Sequence, residues 1–118
     1  MNNIEQNALR IAKLLGYVII PEVTYTNTYE HSGLRFTEYE IRHLYSSYDG
    51  LMPIVFECNS GANNTAIKIL DKKVIFGEYD FMNEFDVTRG IAYSTEPLFI
   101  HAIQLAVIKY LELKNGKS

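Results

Sequence analysis

The chain has 118 residues, 47% of them hydrophobic and 21% charged, and its 14 acidic and 11 basic side chains give a formal charge of -3. That balance excludes intrinsic disorder, which needs low hydrophobicity and high net charge. The length suits one domain with one modest core, not a two-domain enzyme or a full dinucleotide-binding fold. A pI near 5.6 argues against nucleic-acid or anionic-membrane binding through a basic surface.

In chain order, Ile4, Ala8, Ile11, Ala12 and Leu15 form one apolar stripe at helical spacing, which predicts an amphipathic helix. Asn2 or Asn3 can cap its start, and Gly16 can supply a left-handed stop. Residues 17–20 are aromatic and β-branched and end at Pro21, which predicts a short strand. Residues 23–29 alternate threonine with Val, Tyr and Asn, and residues 34–45 form a second extended candidate whose charges spoil the alternation. With residues 30–33 as the break, the two predict a hairpin.

Residues 45–49 offer serines and an aspartate as caps for a helix over 51–59, with Gly61 beyond its end. Pro53 is tolerated in a first turn, which favours Asp49 over Ser47 as the cap. The rival for this stretch is a strand over 54–57. Residues 65–70 and 74–79 predict two strands joined tightly by 71–73, and residues 86–93 a further strand. Ser94, Thr95 and Pro97 predict a helix start. The stretch 98–113 is apolar on most sides, with His101, Gln104, Lys109 and Glu112 as its strongly polar members, so it should lie buried along a sheet. The expected fold is α+β: an antiparallel β-meander packed with helices, α/β/α sandwich-like, with a buried C-terminal helix. Residues 1–113 would form the single domain and 114–118 a frayed tail.

Two stretches resemble a known family. Residues 44–57, with Tyr45, Ser46, Asp49, Val55 and Glu57, are similar to the helix entry of the phage ABA-sandwich family, small proteins of tailed phages and prophages. Residues 92–111, with Ala92, Thr95, Pro97, Leu98, Ala102, Ala106 and Lys109, resemble that family's C-terminal ending. The resemblance covers roughly half the chain. It implies a helix over 51–59 and a phage or prophage origin, and it brings no catalytic residues.

Catalytic patterns are sparse. His31, His43 and His101 form no metal-binding spacing, and there is no phosphate loop or nucleophile elbow. Cys58 is the single cysteine, so it has no intrachain disulfide. It reads as a small buried hydrophobe or, alternatively, a nucleophile. The start of the chain lacks a secretory pattern, and the apolar-rich stretch 97–108 is too short to span a bilayer. These features lead us to expect a cytoplasmic protein without catalytic, cofactor or metal sites.

Two segments suggest a partner surface. Six of the nine tyrosines, Tyr17, Tyr25, Tyr29, Tyr39, Tyr45 and Tyr48, fall between positions 17 and 48, and tyrosine is enriched at interfaces. Residues 78–86 read EYDFMNEFD, with four acids and no base, a candidate docking surface for a basic partner. The expected partner-binding residues are Tyr25, Tyr29, Tyr39, Glu78, Tyr79, Asp80, Phe81, Glu84 and Asp86. The leading expectation is a non-enzymatic phage or prophage accessory protein that binds a host protein, such as a defence component. The alternatives are a small-molecule or nucleotide binder or enzyme with a pocket between sheet and helices, and a virion assembly protein.

Overall fold

The computed structural model describes residues 2–21, 27–61, 64–70, 73–79, 85–86 and 98–116. Helix α1 spans Asn3–Leu15 and is closed at both ends by its own sequence. Asn2 and Glu5 form a reciprocal capping box, and Gly16 takes a left-handed φ of 102°. Ala8, Ile11 and Ala12 are its buried face.

Strands β1 (Val18–Ile20), β2 (Thr28–His31) and β3 (Leu34–Thr37) form one antiparallel sheet in that order. The register sets Ile19 opposite Tyr29 and Tyr29 opposite Phe36. These three pack on the core side. The β2–β3 turn has only two residues, Ser32 and Gly33, both at positive φ, the backbone twist that suits a tight hairpin.

The expected hairpin is therefore shorter than its sequence suggested, because its second arm stops at Thr37. Residues 38–44, read above as strand, are helix α2 (Glu38–Leu44). Thr37 accepts from the Glu40 amide while Glu40 accepts from the Thr37 amide, a second capping box. The charges that spoiled the strand alternation belong to this helix. Helix α3 (Tyr48–Cys58) confirms the helical reading of this region, but its cap is Ser47, not Asp49. Pro53 consequently lies inside the helix. Gly50 explains why the start is fixed there. A Cβ at that position would stand 1.8 Å from the Leu44 carbonyl oxygen, so only glycine lets α3 begin directly against the end of α2.

Strands β4 (Thr65–Leu70), β5 (Lys73–Tyr79) and β6 (Phe85–Asp86) make a second antiparallel sheet, also in chain order. Ile67 pairs with Phe76 and Ile69 with Val74, and all four belong to or border the core. The expected continuation of the strand through 87–93 and the predicted helix start at 94–97 lie outside the described residues.

Helix α4 (Leu98–Lys114) packs against α1, α3, β4 and β5. Ala102, Ile103, Ala106, Val107, Tyr110 and Leu111 are buried along it. Gln104 donates to the Ile4 carbonyl, Arg10 pairs with Glu112, and Asn115 donates to the Leu14 carbonyl. Positions rise together on the two helices, so α1 and α4 run parallel. The frayed tail expected from the sequence begins at Lys114, yet α4 runs through that residue. Lys114 and Asn115 are instead held, Lys114 by Glu57 at 2.8 Å and Asn115 by Leu14. The protein is thus α+β with antiparallel meanders and a buried C-terminal helix, and its strands are divided between two sheets.

Candidate functional site

Helix α3 is apolar on two sides. Leu51, Ile54, Val55 and Cys58 face the core. On the flank of that face Tyr48, Met52 and Phe56 recur at i, i+4 and i+8, a spacing that puts them in one row along the helix. Phe56 is 68% exposed and Tyr48 40%, with Met52 half-buried between them. A second exposed row, Asp49, Pro53 and Glu57, runs beside the first. The helix carries two acids and no lysine or arginine. Contiguous exposed apolar side chains with a polar border are a recurrent mark of an interaction surface.

The second row forms one wall of a cleft of about 390 Å³. Tyr17, His31 and Tyr45 line the other side, and Leu15, Leu44 and Ile54 contribute apolar surface. The Tyr17 and Tyr45 hydroxyls are 3.1 Å apart. The Tyr17 ring lies 5.1 Å from the His31 ring and meets the Tyr45 ring edge-on at 6.2 Å. Burial, reinforced by the Tyr17 hydroxyl, pushes the Tyr45 pKa well above the usual tyrosine range, so Tyr45 stays a neutral phenol.

The two carboxylates differ in their surroundings. Glu57 accepts from Lys114 at 2.8 Å and from the Tyr110 hydroxyl at 2.6 Å, both on Oε2. The Lys114 and Tyr110 bonds outweigh partial burial and hold its pKa below the usual carboxylate value. Asp49 forms no ion pair among the described residues. Its main-chain carbonyl also lacks the usual helical donor four residues on, because Pro53 has no N–H.

The expected partner residues are scattered. Tyr29 is 2% exposed and belongs to the core, because its strand face is the one that meets α2; it is not a surface residue. Tyr39 is 61% exposed on α2, with its ring 4.3 Å from that of His43. Glu78, Tyr79 and Asp86 sit on the backbone of β5 and β6, and the register sets Glu78 opposite Asp86. Tyr25, Asp80, Phe81 and Glu84 lie outside the described residues. The exposed row on α3 was not anticipated. Its signal was present in residues 48–58, since a helix apolar on both sides must bury both or dock one.

Cys58 is fully buried, its Sγ donating to Thr65 Oγ1 at 3.3 Å while that hydroxyl donates to the Cys58 carbonyl. Burial pushes its thiol pKa up, the Thr65 hydrogen bond opposing and the Glu57 charge adding to the shift. A protonated, enclosed thiol is a poor nucleophile. The histidines stand on three separate elements, β2, α2 and α4. Among the described residues no group of three or more His, Cys, Asp or Glu is placed to hold a metal ion, and no helix is long and apolar enough to cross a membrane. No protein-family model matches the chain, and neither does any curated protein or solved structure.

Proposed function

We propose that this protein works without catalysis, by docking a basic surface of another protein against the outer face of α3. The observation that carries this is the row of exposed Tyr48 and Phe56, with partly buried Met52 between them, beside two acids on a helix with no positive charge. Apolar anchors would set the lifetime of the complex, and the acids its association rate and salt dependence. The formal charge of -3 favours the same kind of partner. Tyr39, exposed on α2, and the acidic stretch 78–86 remain further candidate contacts. A phage or prophage accessory role, with a host-cell protein as partner and action in the host cytoplasm, rests on the resemblance of residues 44–57 and 92–111 to the phage ABA-sandwich family. A nucleotide-binding enzyme using the cleft beside α3 is less well supported, because among the described residues that cleft is lined by two carboxylates and no lysine or arginine. A virion assembly role has no specific observation in its favour.

The test compares the wild-type chain with Phe56→Ser and Met52→Ser as affinity baits in a bacterial lysate. Phe56 is 68% exposed, so Phe56→Ser should leave folding within about 0.5 kcal/mol, whereas Met52 packs partly against the core and Met52→Ser is compared only after its unfolding midpoint shows it folded. The expected result is a basic protein retained by wild type, released by salt and lost from both variants. Equal capture by the variants would overturn the assignment to α3.

A further inference from the structure

We infer that the cleft beside α3 is a receptor for a single lysine or arginine side chain, the basic anchor of the partner; this deepens the docking role proposed above and rests on it. The cleft's two walls are chemically unlike. One is aromatic, with Tyr17, Tyr45 and His31. The other is the row Asp49, Pro53 and Glu57, in which the two carboxylates are separated by two helical turns, about 12 Å along the axis. Between them lie Pro53 and Ile54, an apolar middle. A lysine or arginine has a matching design, an apolar stem of several methylenes carrying a cationic head. The stem would lie on Pro53 and Ile54, and the head would reach one of the carboxylate ends.

The structure distinguishes the two ends. Glu57 already holds the Lys114 ammonium and the Tyr110 hydroxyl. Asp49 holds no cation among the described residues, and its own carbonyl is left without a helical donor by Pro53. The Asp49 end therefore offers the cleft a carboxylate with no ion-pair partner among the described residues. Charge-assisted hydrogen bonds to a carboxylate are roughly twice as strong as neutral ones. Aromatic faces nearby add attraction for a cation. The Tyr17 and Tyr45 hydroxyls bond each other on that wall, and among the described residues no lysine or arginine lines the cleft to compete.

The experiment uses the whole chain, isotopically labelled, and three small probes: N-acetyl-lysine methylamide, N-acetyl-arginine methylamide and the uncharged N-acetyl-norleucine methylamide. Amide chemical shifts are followed during titration with each. The expected outcome is saturable millimolar binding of the two charged probes, with the largest shifts at Tyr17, His31, Gly50 and Ile54. Norleucine should bind about tenfold more weakly or not at all, and Asp49→Asn should weaken the charged probes by a similar factor. The inference is overturned if norleucine binds as well as lysine, if Asp49→Asn changes nothing, or if no saturable shift reaches these residues. The titration needs no partner, so its failure is separable from that of the docking surface. In Phe56→Ser the charged probes should still bind as in wild type, and loss of probe binding in that folded variant would count against a distinct cleft.

Discussion

At the residue scale the most consequential side chain is Gln104. It is fully buried, and its Nε2 donates to two main-chain carbonyls, of Ile4 at 2.9 Å and of Tyr45 at 2.7 Å. One amide group thereby ties α4 to the first turn of α1 and the end of α2. Its Oε1 is buried without a partner, so the residue is held by its donors at some expense to its acceptor. Gln104→Leu keeps the volume but leaves both carbonyls without this donor. Each lost partner costs about 1–3 kcal/mol, offset in part by removal of the unpaired Oε1. We expect a net destabilisation of about 2 kcal/mol, read as a lowered midpoint of urea unfolding with an unchanged slope. A midpoint within error of wild type would mean that apolar contacts alone set the helix packing.

At the element scale α3 is the conflict in the molecule. Its cap at Ser47 and its entry at Gly50 are fixed by contact with the end of α2, and that register forces Pro53 into the helix interior. Such a proline costs about 3 kcal/mol relative to alanine, through a lost hydrogen bond and a clash with the preceding turn. Local and global preferences that disagree in this way cluster at functional sites. Pro53→Ala should therefore raise stability by about 1–3 kcal/mol in urea unfolding, while weakening the charged probes by removing the apolar ring on which the stem lies. A fall in stability would instead assign Pro53 a packing role. Helix α2 teaches a different lesson at this scale. The Thr37-x-x-Glu40 pattern is a capping-box signature, and it was legible in the sequence. The hairpin reading ran through it because Leu34 and Phe36 do alternate correctly up to Thr37.

For the whole molecule, the core carries titratable groups that must stay neutral. Burial pushes the Tyr45 hydroxyl up most, with the Tyr17 hydrogen bond adding to it, and burial also raises Tyr29 and the Cys58 thiol. The sign follows from linkage. A group whose folded pKa lies above its unfolded value contributes stability that is complete below the unfolded value and is lost as pH rises towards the folded one. Ordinary cysteine and tyrosine values place that window from about pH 8.5 upward. We expect the urea midpoint to hold between about pH 6 and pH 8 and to fall steadily above about pH 9, with Tyr45→Phe reducing the slope. A midpoint that stays level up to about pH 11 would show that these side chains reach water. Glu57 acts in the opposite direction. Its lowered pKa gives stability that is present above the usual carboxylate value and lost in acid, and its exposure keeps that share small.

The sequence by itself determined the elements whose signals are local. The α1 stripe with its asparagine start and Gly16 end, the β4 and β5 strands with a tight connection between them, and the apolar run of α4 depend on periodicity and capping within a few residues. So did the α+β class, since these elements leave few other ways to bury their faces. Tertiary structure alone decided the rest, because the deciding contacts lie far apart in the chain. Tyr29 resembles an exposed interface tyrosine until its strand packs against α2 and buries it. Gln104 is one polar residue in an apolar run until Ile4 and Tyr45, 100 and 59 positions away, supply its partners. The division of the strands into two sheets has the same origin. The exposed row of α3 and its cleft came into view only when α2 and the Gly50 contact fixed which side of that helix faces inward.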